Sequence, residues 1–185
     1  MVNDALADAD NRMKGAVRAL EDDFAGIRTG RASPALVERL PVEYYGAPTS
    51  LMQLATISAP EPRLLTIRPF DQGTMKDIER AIQASDLGLT PSNDGKIIRL
   101  SIPPLTEERR HDLVKIVHSR TEEARVAVRN VRRDVHHDLR EFEREKLISK
   151  DELERAETEL QKRTDEYIEK VNQAAEKKEQ EVLEV

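Results

Sequence analysis

LTEERRHDLVKIVHSRTEEARVAVRNVRRDVHHDLREFEREKLI, residues 105–148, runs through neither a glycine nor a proline. Apolar residues recur along it at three-, four- and once seven-residue intervals, through Leu113, Val117, Ala124, Val128, Val131, Val135, Leu139 and Phe142. That period places them on one arc of an α-helix, so the stretch predicts a single rod about 65 Å long. Thr106 is the expected N-cap, with Glu107 and Glu108 favouring the positive helix end. At the far end, Ser149 and Glu152 have capping-box spacing, and Ile148 and Leu153 are placed as its hydrophobic staple. A turn and a further helix follow, with the seam Leu153, Ala156, Leu160, Tyr167, Val171, Ala174 and Val182.

These two helices leave apolar stripes that need a partner, and the start of the chain supplies one. Leu6, Met13, Leu20 and Ile27 repeat every seven residues, with Ala9, Val17 and Phe24 between them. This first helix is expected to stop near Thr29 and Gly30, with Pro34 discouraging resumption. The texture then changes to short segments rich in β-branched and aliphatic residues, bounded by Gly, Pro or Asn-Asp-Gly: 41–45, 54–58, 63–70 and 96–102 read as strands. Residues 75–85 carry Ile78, Ala81 and Ile82 at helical spacing. The expected fold is therefore α+β: an elongated three-helix bundle built from 1–30 and 105–185, with a small mixed β/α domain, 31–104, inserted between its first two helices. The joining strands, Thr29-Gly30-Arg31 and Pro103-Pro104-Leu105, form a double linker that can act as a hinge. Proline at Gly30 suggests itself as a stiffening substitution.

Composition agrees with narrow, solvent-washed helices: 36% of residues are charged and 3% aromatic, with no Trp and no Cys. Lacking cysteine, the chain has no disulfide, thiolate nucleophile or Cys-ligated zinc, which suits a reducing compartment. No run approaches the roughly 20 apolar residues of a membrane span, and the start MVNDALADADNRMKG has neither signal-peptide nor transit-peptide character. A soluble cytoplasmic protein is expected, monomeric because three seams satisfy one another. The net charge of −6 excludes a uniformly basic coat. No GxxxxGK[ST] loop, GxSxG elbow or HExxH is present, and His111, His118, His136 and His137 lack metal-site pairing with carboxylates. Nothing in the sequence reads as catalytic, and no cofactor is expected.

Beside the long helix's apolar arc runs a second one: Arg125, Arg129, Arg132, Arg133, His136 and Arg140, with no acid between Arg125 and Arg133. Guanidinium groups held in a row on a rigid helix match phosphate oxygens, so this stripe can dock on structured RNA. By pattern alone the commoner arrangement is a solvated face bridged to the acidic last helix through Glu154, Glu157, Glu159, Asp165 and Glu166. Arg28 and Arg31 either extend a basic surface or serve solubility. Tyr44-Tyr45-Gly46 offers aromatic stacking to bases, although one tyrosine in a core and its neighbour at a sheet edge is the commoner arrangement. The alternative class is a helical adaptor that docks on proteins, whose binding would survive salt.

Five segments and the arginine stripe together resemble a known family in order and spacing. They are Ile27-Arg28-Thr29-Gly30-Arg31-Ala32-Ser33-Pro34, Val42-Glu43-Tyr44-Tyr45-Gly46, Gln53-Leu54-Ala55, Ala84-Ser85-Asp86-Leu87-Gly88-Leu89 and Pro103-Pro104-Leu105-Thr106-Glu107-Glu108-Arg109-Arg110. With Ala124-Arg125-Val126-Ala127-Val128-Arg129-Asn130-Val131-Arg132-Arg133-Asp134, they make nearly the whole chain similar to the bacterial ribosome recycling factor family. Ser50 and Met52 depart from the residues many relatives carry, both inside the middle domain. The resemblance implies a non-enzymatic, L-shaped molecule of roughly transfer-RNA dimensions whose bundle binds the large ribosomal subunit after peptide release. It further implies that elongation factor G, which carries the GTP, acts with it to separate the subunits and free messenger and deacylated transfer RNA. On that implication Arg125, Arg129, Arg132 and Arg133 contact ribosomal RNA, Arg132 foremost, with Arg28, Arg31, Arg109 and Arg110 as secondary contacts.

Overall fold

A computed structural model describes residues 1–184 and divides them into two compact units, Met1–Arg28 with Glu107–Glu184, and Thr29–Thr106. The first is the helical one. Helix α1 spans Val2–Ala25, α4 spans Glu107–Arg144 and α5 spans Lys150–Leu183, and all three pack on one another. Their shared core holds Met13, Leu20, Val128, Leu139, Leu160 and Val171, with Ile27, Phe142, Leu153 and Tyr167 packed at its margin. Two seam positions are polar: Thr121 and Thr164 are buried, and each hydroxyl donates to the carbonyl one turn back, on Val117 and Leu160, at 2.7 Å. That internal bond removes the cost of a buried hydroxyl and lets a polar residue continue an apolar stripe. In α5 the more deeply buried residue is Ala175, where the seam reading placed Ala174, which packs at the core's margin.

Polar ties link the helices at their flanks. Arg12 of α1 donates to Asp134 of α4 at 2.6 Å. Arg163 of α5 reaches Asp10 and, at 3.2 Å, the Leu6 carbonyl of α1.

Helix ends differ from expectation for local reasons. α1 stops at Ala25, well before Gly30, because Gly26 is a weak helix former and Asp22 and Asp23 sit at the negative end of the helix dipole. α4 stops at Arg144 and not at Ile148, so the rod is nearer 57 Å than 65 Å. Lys146 there adopts φ +59°, and the amides of Lys146 and Leu147 donate back to the carbonyls of Glu143 and Phe142. These two bonds are a Schellman motif, usually made by glycine, which is why the sequence shows no stop signal. Ser149 then caps α5: its hydroxyl accepts from the Glu152 amide at 3.2 Å, while the Glu152 carboxylate accepts from the Ser149 amide at 2.7 Å. The Ser149 amide, followed by its hydroxyl, holds the Glu152 carboxyl below the usual range.

The second unit contains a hairpin, β1 (Pro41–Tyr44) with β2 (Ala47–Ser50), a one-turn helix α2 (Leu51–Leu54), and a four-stranded antiparallel sheet. The sheet comprises β3 (Ala55–Glu61), β4 (Leu64–Pro69), β5 (Pro91–Asn93) and β6 (Ile98–Ser101) in the order β3-β4-β6-β5. Leu65, Ile67, Ile98 and Leu100 alternate onto its buried face and share a core with Ile78 and Ile82 of α3 (Met75–Ala84). β2, β5 and α2 were not anticipated; the two strands are short, proline-bearing edges with no apolar alternation. Tyr44 packs against the core as expected, but Tyr45 does not join a sheet edge. It stands 86% exposed at the hairpin tip with φ +48°, followed by Gly46 at +80°, as the tight two-residue turn requires.

Gly30 has φ +73°, and a Cβ there would lie 3.0 Å from Leu105 Cγ. Proline, whose ring fixes φ near −65°, cannot occupy that position, so it would break this turn rather than stiffen it. Thr29 is buried, and the Ala32 amide donates to the Pro62 carbonyl at 2.6 Å. Pro103 and Pro104 border a cleft of about 770 Å³ together with the β3–β4 turn.

Candidate nucleic-acid interface

Burying Val128, Val131 and Val135 against α1 and α5 fixes the rotation of α4, and the arginines about 100° away around the axis are turned to one flank. There α4 and α5 leave a groove of about 530 Å³. Its α4 wall consists of Arg125, Arg129, Asn130, Arg132, Arg133 and His136. Its α5 wall consists of Gln161, Thr164, Asp165 and Ile168. Four of the predicted arginines thus share one concavity.

Most of these guanidinium groups are oriented by neighbours. Arg125 donates through Nε and Nη2 to Asn172 Oδ1 at 3.0 and 2.8 Å, and through Nη1 to Glu122 at 3.2 Å. Arg129 donates to Glu122 at 2.8 Å and to the Arg125 carbonyl at 3.3 Å. The hydrogen bond from Arg125, with the Arg129 charge adding, holds the Glu122 carboxyl below its ordinary value. Arg133 donates to Asn130 Oδ1 at 2.9 Å. Beyond the stripe's centre, His136 and Arg140 share Glu157 of α5 at 2.9 and 3.3 Å. Arg132 is half-buried and, among the described residues, takes part in none of these bonds.

Bridging to the acidic last helix therefore occurs, but only at one end of the stripe. Of the five α5 acids considered as partners, Glu157 holds His136 and Arg140, whereas Glu159 turns to Arg163. Asp165 accepts from Gln161 at 2.8 Å and from no arginine of the stripe. Glu122 is shared by Arg125 and Arg129, so one carboxylate offsets two guanidinium groups and the four arginines leave a net cationic wall, the arrangement a row of phosphate oxygens can use.

The remaining candidate residues lie elsewhere. Arg109 is exposed at the start of α4, and Arg110 beside it is half-buried with its Nε shielded from solvent and without a hydrogen-bond partner. Both are more than about 20 Å along the helix from Arg125 and cannot line the same groove. Arg28 is exposed after α1, and Arg31 is exposed in the sheet unit. The sequence reading gave no role to Asn130 or Asn172, and of the α5 wall it named only Asp165, as an acid bridged to the stripe. Gln161 and Asp165, four residues apart beside the seam positions Leu160 and Thr164, carried a signal of facing, but their register against α4 has none in the sequence. Among the described residues, no group of three or more His, Asp or Glu is placed to hold a metal ion. No helix there is long and apolar enough to cross a membrane.

The family model described as ribosome recycling factor matches residues 20–183. The ribosome-recycling factor of Halalkalibacterium halodurans is 56% identical over 185 residues, covering 100% of both chains. That of Rubrobacter xylanophilus is 57% identical over 180 residues, covering 97% of each. A solution structure of the ribosome recycling factor has a TM-score of 0.78 at 47% identity, covering 100% of this chain and 98% of that one. A second structure, of the T. thermophilus ribosome recycling factor and the E. coli elongation factor G bound to the E. coli post-termination complex, has a TM-score of 0.68 at 51% identity over 99% of each chain.

Proposed function

The chain belongs to the ribosome recycling factor family, and from that premise we propose that the α4 wall of the groove anchors its bundle on large-subunit ribosomal RNA. The protein acts in ribosome recycling: after termination it works with elongation factor G on the post-termination complex, in the cytoplasm. The GTP belongs to elongation factor G, and this chain contributes binding and positioning without catalysing a reaction. The observation that carries the anchoring role is the groove itself, with Arg125, Arg129, Arg132 and Arg133 on one wall and Arg132 uncommitted. Arg125 and Arg129 are held in place before any RNA arrives, which lowers the entropy lost on binding, and Arg132 lines the same wall without a hydrogen-bond partner among the described residues. Arg28, Arg31, Arg109 and Arg110 are secondary contacts on other parts of the surface. Thr29, Gly30 and Arg31 with Pro103, Pro104 and Leu105 serve as the hinge that lets the sheet unit move while the bundle stays anchored.

Co-sedimentation with vacant ribosomes across a salt series, followed by addition of elongation factor G and GTP, tests this reading. Binding that weakens steeply with salt, and subunit splitting that requires the factor, are expected. Absence of binding at low salt would overturn it.

A further inference from the structure

The two walls of the groove are chemically unlike, and a bare phosphate track accounts for only one of them. The α5 wall carries a carboxyl side chain, Asp165, opposite the arginines. A carboxylate at an anion site repels the phosphates it faces unless something donates to it. Asp165 is exposed, and among the described residues its one bond is the donation from Gln161 Nε2 to Oδ1 at 2.8 Å, which leaves Oδ2 open. Four residues separate Gln161 from Asp165, and four separate Thr164 from Ile168, so the wall presents a polar pair beside the partly buried aliphatic surface of Ile168. A carboxylate acceptor, an amide and an apolar surface are what the edge and face of a nucleobase require, and the arginines opposite suit its phosphate. At about 530 Å³ the groove has room for one nucleotide, whereas an RNA duplex can only lie across its mouth.

We infer that the groove takes a single unpaired, splayed-out nucleotide of RNA, its phosphate on the α4 arginines and an N–H of its base edge donated to Asp165, with Gln161 orienting the carboxylate. Asp165 is then a specificity-determining residue: it disfavours featureless polyanion and favours RNA with an extruded base. This inference rests on the proposed docking of the groove on ribosomal RNA.

Chemical footprinting on large ribosomal subunits separates the two claims, because hydroxyl radicals report the backbone while dimethyl sulfate and carbodiimide report base edges. The expected result is a backbone-protected segment containing at least one base whose reactivity falls about tenfold. Asp165→Ala, which removes the acceptor and is checked for unchanged helicity, restores that base's reactivity and leaves the backbone protected; Arg132→Ala weakens backbone protection. Backbone protection with every base edge reactive would overturn the nucleotide inference and leave the anchoring intact. Base protection that persists in Asp165→Ala would overturn the assignment to Asp165, and no protection of either kind would overturn the anchoring as well.

Discussion

Replacing Arg132 with alanine removes the guanidinium that lines the groove yet takes part in none of the stripe's bonds. Because no internal bond is lost, helicity and thermal stability should change little. Any binding defect then belongs to the missing contact. A hydrogen bond to a charged group contributes about 1.5–3 kcal/mol. At about 1.4 kcal/mol per decade, a mid-range loss weakens association with large subunits about fortyfold. The loss should also flatten the slope of log affinity against log salt by about 0.9 if the phosphate lies in a duplex, or about 0.7 if it lies in a single strand. Arg140 is the internal control. It is already paired with Glu157, which also holds His136, so its removal should cost less than about threefold. Sedimentation of the wild type and both variants with large subunits between low and physiological salt measures affinity and slope together. Affinity of Arg132→Ala within about twofold of wild type at every salt, with an unchanged slope, would refute the reasoning.

Ser149→Ala removes the capping hydroxyl of α5 and should cost about 1 kcal/mol, seen as a melting temperature about 2–4 °C lower; an unchanged melting temperature would deny the cap its role. Asp94 accepts from the Ile97 and Lys96 amides and from Arg99, and these bonds, the backbone ones foremost, bring its carboxyl down to about 2. Since its folded value lies below the unfolded one, the stability it supplies is fully present above the ordinary carboxylate range and is lost as pH falls toward 2. A carboxyl NMR titration with its midpoint near 4 would contradict the turn geometry. Gly30→Ala forces a β-carbon to 3.0 Å from Leu105 Cγ at positive φ and should destabilise by about 1–2 kcal/mol in urea unfolding, and a neutral effect would show that this turn relaxes freely.

What the sequence by itself determined is what local periodicity and local chemistry can encode. The buried seams of Leu6 to Phe24, Leu113 to Leu139 and Ala156 to Val182 follow from a helix's fixed angular step, which also separates the arginine arc from the apolar one. The start of α5 was equally legible, because a capping box is made by residues three apart. The end of α4 was not, because a lysine took the left-handed position that glycine usually marks. β2 and β5 were hidden for a related reason: they are defined by pairing, Glu43 with Pro48 and Ser92 with Arg99, and not by any pattern of their own. The tertiary structure alone decided which charges meet. Arg140 found Glu157, Arg125 found Asn172, and Arg132 was left uncommitted opposite an α5 wall of Gln161, Asp165 and Ile168. The relative register of two long helices depends on packing between residues far apart in the chain, and a helix's own period carries no information about it.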